Sequence, residues 1–209
     1  MALETQVERL VAQGQFAAGL AVAAEMRDQA EQAGEDIFVA VALWQFGFIQ
    51  NLMGRPREAE SYLDRVINWL TPERRTALRT ALGADVGISA LCFSALDLWW
   101  LGFPEQALAR STNALKSAQE QEDIFGLATA CALGATMLFL LRADRAALQE
   151  RSALCHQLSV QHGFGMWQVY AEVFLGRLAI QRGEDEAGLQ QMRRALAAWQ
   201  AIGMTIGTD

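Results

Sequence analysis

Cys155, His156 and His162 are the nearest approach to a metal-binding cluster in this 209-residue sequence. Thiolate and imidazole are ligands that zinc accepts, and on a helix they must recur three or four positions apart to share a face. His156 and His162 are six apart, so their rings diverge. The group reads as a half-buried thiol beside two surface histidines near a helix C-terminus, where a cationic ring is welcome. Lys116-Ser117 supplies the last two letters of a phosphate-binding loop, but Arg110 and Thr112 stand where the loop needs flexibility. Gly163-Phe164-Gly165 follows no strand, so it reads as a helix junction rather than a dinucleotide fingerprint. Cys92 and Cys131 lie almost one repeat apart in apolar runs, as packed core thiols do. No nucleophile is matched to a base, so the chain is read as non-catalytic, with no metal and no cofactor.

Two carboxylates stand out because each interrupts an otherwise apolar run: Asp97 and Glu172. A lone buried carboxylate is costly, so each needs a partner or an opening to a groove. An arginine from a neighbouring helix is the structural expectation, and a ligand-facing role the functional one. They fall in different repeats, too far apart for paired carboxylate chemistry.

The elements that must position these groups are helices. The chain is 52% hydrophobic and 20% charged, which fits an ordinary globular unit and excludes disorder. Net charge is −7, and Lys116 is the single lysine, which argues against sequence-independent nucleic-acid binding. Three prolines leave room for long helices. Three widely spaced cysteines fit reduced thiols in a cytoplasm, and residues 1–10 lack the apolar core of a signal peptide. Residues 37–54 and 124–141 each run 18 positions without a charge, but both are diluted by polar or small residues. They are read as inner layers of a helical stack, not as membrane spans.

A turn followed by an alanine that opens an amphipathic helix recurs five times, with the alanine at positions 18, 59, 107, 147 and 187. The steps of 41, 48, 40 and 40 fall in the range that signals a solenoid. Each period splits into a nearly uncharged helix A and a charged, amphipathic helix B. In residues 105–122, for example, positions 107, 108, 111, 114, 115 and 118 follow helical spacing. The expectation is all-α: a right-handed superhelical solenoid of about five antiparallel helix pairs in a single domain. The pairs fall at 3–33, 35–70, 85–121, 124–161 and 164–202. The 48-residue step leaves an inserted connector at 71–84, read as an extra short helix with Arg74, Arg75 and Arg79 as solvated charge. It is the weakest internal junction.

The units match the tetratricopeptide pattern with a lengthened period. Gly47 takes the small helix-A site where neighbouring helices approach closely, followed by Ala95 and Ala135. In that register the concave face gathers Trp44, Phe48 and Asn51, then Cys92, Leu96 and Trp99, then Thr136 and Phe139, and finally Glu172. A strip of apolar residues along one surface marks a binding face. At the far end, Met192, Ala195, Leu196 and Trp199 form an extra apolar row on the last helix. A missing sixth pair, or self-association around Trp199, is expected to cover it.

The runs 83–92 and 99–111, which include Trp99-Trp100-Leu101-Gly102-Phe103-Pro104-Glu105-Gln106-Ala107, resemble a known group. So do Gln161-His162-Gly163-Phe164 with Trp167, and 193–203. The group is the C-terminal tetratricopeptide-like region of large bacterial signalling proteins. In these a class III adenylate/guanylate cyclase or DNA-binding domain precedes a nucleoside-triphosphatase module and the repeats. The resemblance covers roughly residues 50–203 and rests on packing residues. It implies a regulatory region of a longer cytoplasmic protein, with residues 204–209 as the start of a severed repeat. The expected partners are a protein or peptide, including the parent's own upstream domains, with neither nucleic acid nor membrane. The alternative is a small-molecule-sensing solenoid that controls an attached cyclase, ATPase or DNA-binding output domain.

Overall fold

The computed structural model describes residues 2–83, 85–135 and 144–201. Among the described residues there are eleven α-helices and no strand. They are α1 (Ala2–Ala12), α2 (Phe16–Ala33), α3 (Asp36–Leu52), α4 (Pro56–Trp69), α5 (Pro72–Leu82), α6 (Val86–Trp100) and α7 (Pro104–Glu120). Then come α8 (Ile124–Thr129), a π-helical turn (Ala130–Ala135), α9 (Arg145–His162), α10 (Gly165–Gln181) and α11 (Asp185–Ala201). This is an all-α solenoid of helical hairpins, as the repeat predicts. The chain divides between Arg110 and Ser111, inside α7, into two compact units.

In the first unit, α1 packs on α2, α2 on α3, α3 on α4, and α6 on both α3 and α4. The hairpin α3–α4 closes at Gly47, where a Cβ would lie 2.5 Å from Leu63 Cδ2 and 3.3 Å from the Ala59 carbonyl oxygen. Gly47 is therefore the close-approach site the repeat assigns to it. The connector is helical, as expected, but it is tied into the core. Leu78 is fully buried among Met26, Val41, Ala42 and Val86. Arg74 lies 4.6 Å from the centroid of the Trp69 ring and donates to the Trp69 carbonyl at 2.7 Å. Arg75 donates to the buried carboxylate of Asp85 at 2.8 Å, while the other oxygen of Asp85 caps α6 at the Gly87 N–H. Reading Arg75 as solvated charge is thus corrected, whereas Arg74 is exposed as expected even as it reaches back to α4. A stretch that looks like surface from its charge density uses two of those charges to bridge neighbouring helices.

In the second unit, α8 and the π turn pack on α9, α9 on α10, and α10 on α11. The expected helix at 124–141 begins as predicted, capped by Asp123 on the Gly126 N–H at 2.8 Å. It leaves α geometry at Ala130. At that point Thr129 Oγ1 donates back to the Phe125 carbonyl at 2.9 Å, a local bond that competes with regular helix geometry. Gly176 and Gly188 bring α10 and α11 together backbone to backbone: a Cβ on Gly188 would lie 2.5 Å from the Gly176 oxygen. In both α2 of the first unit and α11 of the second, the alanine register is off by one. Ala18 and Ala187 are exposed, and the buried residues are Gly19 and Gly188. The turn before α11 passes through Gly183 at φ +85°, a left-handed geometry glycine adopts without strain. No single helix among the described residues is long and apolar enough to cross a membrane.

Candidate interaction face

On α3 and α6 of the first unit, side chains that are neither fully buried nor freely solvated form a row of rings. Trp44 stacks on Phe48, with centroids 5.3 Å apart and planes 11° from parallel. Phe48 meets the edge of Phe93 at 5.0 Å. Aromatic pairs at these distances prefer offset-stacked or edge-to-face geometry, so each ring holds the next in place. Trp44 and Phe48 are half-buried, Phe93 is buried, and the indole N–H of Trp44 is enclosed without an acceptor. Leu96 is at the edge of burial at 9% exposure, Trp99 is half-buried, and Trp100 is 63% exposed. Of the residues read onto the concave side of α6, Cys92 is instead fully buried, and Phe93 meets Phe48.

Beside the rings, Asn51 Nδ2 donates to Asp97 Oδ1 at 2.7 Å. Asp97 is fully buried, and its Oδ2 has no partner. Burial pushes its carboxyl up to about 8; the Asn51 bond pulls the other way, and the charge of Glu60 adds to the rise. On α4, burial also raises the Glu60 carboxyl, while Ser94 and Arg110 lower it and Asp64 raises it. Glu60 Oε2 and Ser94 Oγ are buried without a well-formed hydrogen bond, and the Ser94 hydroxyl is the donor that lowers Glu60. Arg110 is held by Asp64 and lies 3.9 Å from Glu60 Oε1. The arginine expected opposite Asp97 therefore serves α4, and an asparagine on α3 serves Asp97. Asn51 was marked in the sequence, as was Asp97. Glu60 and Ser94 were not, because nothing in their spacing separates them from ordinary helix residues.

In the second unit, Glu172 accepts from Gln168 Nε2 at 2.8 Å and lies 3.7 Å from His156 Nε2. Its neighbours are an amide and an imidazole, again not the expected arginine. Thr136 and Phe139 lie outside the described residues. Cys155 is fully buried rather than half-buried, and its thiol donates to the Trp167 carbonyl at 3.4 Å. His162 is exposed and stacks on Phe164. Among the described residues, no group of three metal-ligand types is gathered. In α11, Trp199 meets the edge of Tyr170 at 5.6 Å and Ala195 is fully buried, whereas Leu196 and Leu189 are 48% and 46% exposed.

No family model matches this sequence, and no curated protein does. Solved structures do. The crystal structure of a Rap protein complexed with competence and sporulation factor matches with a TM-score of 0.76 at 14% identity, over 95% of this chain and 53% of that one. BtubC from P. vanneervenii matches with a TM-score of 0.64 at 13% identity, over 96% of this chain and 79% of that one. The fold is a tetratricopeptide-like helical repeat. This chain spans about half the length of the Rap protein, and at such identities the likeness concerns the fold alone.

Proposed function

We infer that this chain is a non-catalytic scaffolding repeat of a bacterial cytoplasmic signalling protein, binding a protein or peptide segment along the α3–α6 face. The observation that carries this reading is the ring row Trp44–Phe48–Phe93, ordered by mutual stacking yet left half-covered at Trp44 and Phe48. A partner's apolar side chains would complete that cover, and Asn51 is the polar handle beside them. On α11 of the second unit, Leu189, Leu196 and Trp199 would serve as a self-association surface. The Rap protein, solved with competence and sporulation factor bound, supports a binding role for this architecture. The resemblance of 50–203 to regions that follow cyclase, ATPase or DNA-binding modules supports an upstream domain of the same polypeptide as the partner.

Substituting Trp44 and Trp99 by alanine tests this. A buried aromatic at an interface contributes on the order of 2 kcal/mol or more, roughly thirtyfold in affinity. Trp44→Ala and Trp99→Ala are expected to remain folded, and to lose at least tenfold in calorimetric affinity for the parent's upstream module. If instead stability falls by about 3–5 kcal/mol with affinity unchanged in the folded fraction, the rings are core and the reading fails.

A further inference from the structure

The surroundings of Asp97 hold more negative charge than they can neutralise. Asp97 is the sole charged side chain in α6, whose other titratable group is the buried Cys92 thiol, and α3 carries none after Asp36. The groups facing Asp97 are the Asn51 amide from α3 and Glu60 from α4, with Asp64 and Arg110 behind Glu60. Three carboxylates thus share one guanidinium, which Asp64 already holds. Asp97 Oδ2 is buried without a donor, and for the buried Glu60 Oε2 the donor at hand is the Ser94 hydroxyl, whose hydrogen bond is not well formed. Deeply buried carboxylate oxygens with neither donor nor counter-charge are expensive, whereas a carboxylic acid supplies the missing donor itself.

We propose that the α3–α4–α6 junction is a proton switch: Asp97 is a neutral acid when the junction is closed, and its ionisation loosens α6 and locks Asn51 onto it. The proton leaves Asp97 Oδ2 for solvent past Glu60, whose side chain is 16% exposed. The charge left behind faces Glu60, and the guanidinium beside Glu60, Arg110, is held by Asp64, so repulsion falls on the α4–α6 contact. The Asn51–Asp97 bond becomes charge-assisted and stronger, which withdraws the Asn51 amide from the adjoining face. The sign follows from the raised carboxyl. A group neutral in the fold but ionised when unfolded gives its full stability below about pH 4. That stability drains away as pH rises to about 8, and is flat beyond. Raised Glu60 contributes in the same direction.

Carbon-13 NMR of the side-chain carboxyls in the full chain reads this directly. The Asp97 carboxyl is expected to titrate between about pH 7 and 9, with its midpoint lower in Glu60→Gln than in the wild type. Amide exchange over 91–100, corrected for intrinsic rate, is expected to be at least tenfold faster at pH 9 than at pH 6.5. Asp97→Asn keeps the oxygen that accepts from Asn51 and adds the missing donor, and it should abolish that difference. An Asp97 titration below pH 6, a midpoint untouched by Glu60→Gln, or an undiminished exchange difference in Asp97→Asn would each overturn the proposal. If Asp97→Asn does not fold, the first two measurements still decide it.

Discussion

Gly188→Ala inverts an ordinary rule. Glycine inside a helix costs about 1 kcal/mol relative to alanine, so the substitution would stabilise most helices. In α11 the added Cβ would stand 2.5 Å from the Gly176 oxygen, 2.6 Å from Ile180 Cγ1 and 3.1 Å from Ile180 N. A relaxed carbon–oxygen approach is about 3.3 Å, so the two backbones must part by roughly 0.8 Å. Two of the three contacts are main-chain atoms, which cannot rotate aside. Overpacking against main-chain atoms falls in the upper part of the usual range, about 2–3 kcal/mol, and regained helix propensity offsets about 1 kcal/mol of it. The expected net loss is about 1–2 kcal/mol, a fall in Tm of roughly 2–8 °C for a chain of this size. Scanning calorimetry of the full chain checks it, with Gly165→Ala as the control. Gly165 opens α10 with nothing within 4 Å of its would-be Cβ, and its substitution should be neutral or slightly stabilising. If Gly188→Ala matches or exceeds the wild-type Tm, the α10–α11 backbones are not in contact.

Asp85→Ala removes the cap of α6 and strands the Arg75 guanidinium, so urea denaturation should show a loss of about 2–4 kcal/mol. A loss under about 0.5 kcal/mol would mean the connector is not tied in as described. Burial pushes the Cys131 and Cys155 thiols up to about 12 and 11, and Cys92 is fully buried as well. A disulfide-exchange reagent at pH 8 should therefore leave all three unreacted in the native chain, and modify all three after denaturation. Rapid reaction of even one native thiol would contradict this burial.

The sequence made some of these arrangements readable and concealed others, for physical reasons. Turn residues and helical periodicity act over a few positions, so the helix ends agree within a residue or two except after Thr129, where α geometry gives way to the π turn, and Gly47 is legible through its offset from Ala59. Gly19 and Gly188 were missed by one position because the register was keyed to alanine, while the tight crossings in those hairpins use the smaller residue. Asp97 and Asn51 could each be marked, one as a charge in an apolar helix and the other as an amide at the end of one. Their bond could not, because it spans 46 residues across the inserted α5. Arg110 and Asp64 are tied over the same separation and were equally hidden. That Trp44 and Phe48 share one side of α3 is legible in their spacing, but in α6 the register favours Cys92 over Phe93. An uncharged helix offers no amphipathic contrast to fix which side is out.

Gly47 with Ala59 and Gly176 with Gly188 share a geometry whose consequence is kinetic. In both hairpins the small residues are twelve positions apart, so each crossing closes a loop of one turn and a few helical residues. Bringing ends together over so short a span costs little chain entropy, and chains dominated by such local pairings reach their native state in microseconds to milliseconds. A hairpin of this kind can be born as soon as its own residues are free to move, before the rest of the chain has been synthesised. Folding can then nucleate at any crossing and spread to the next by stacking.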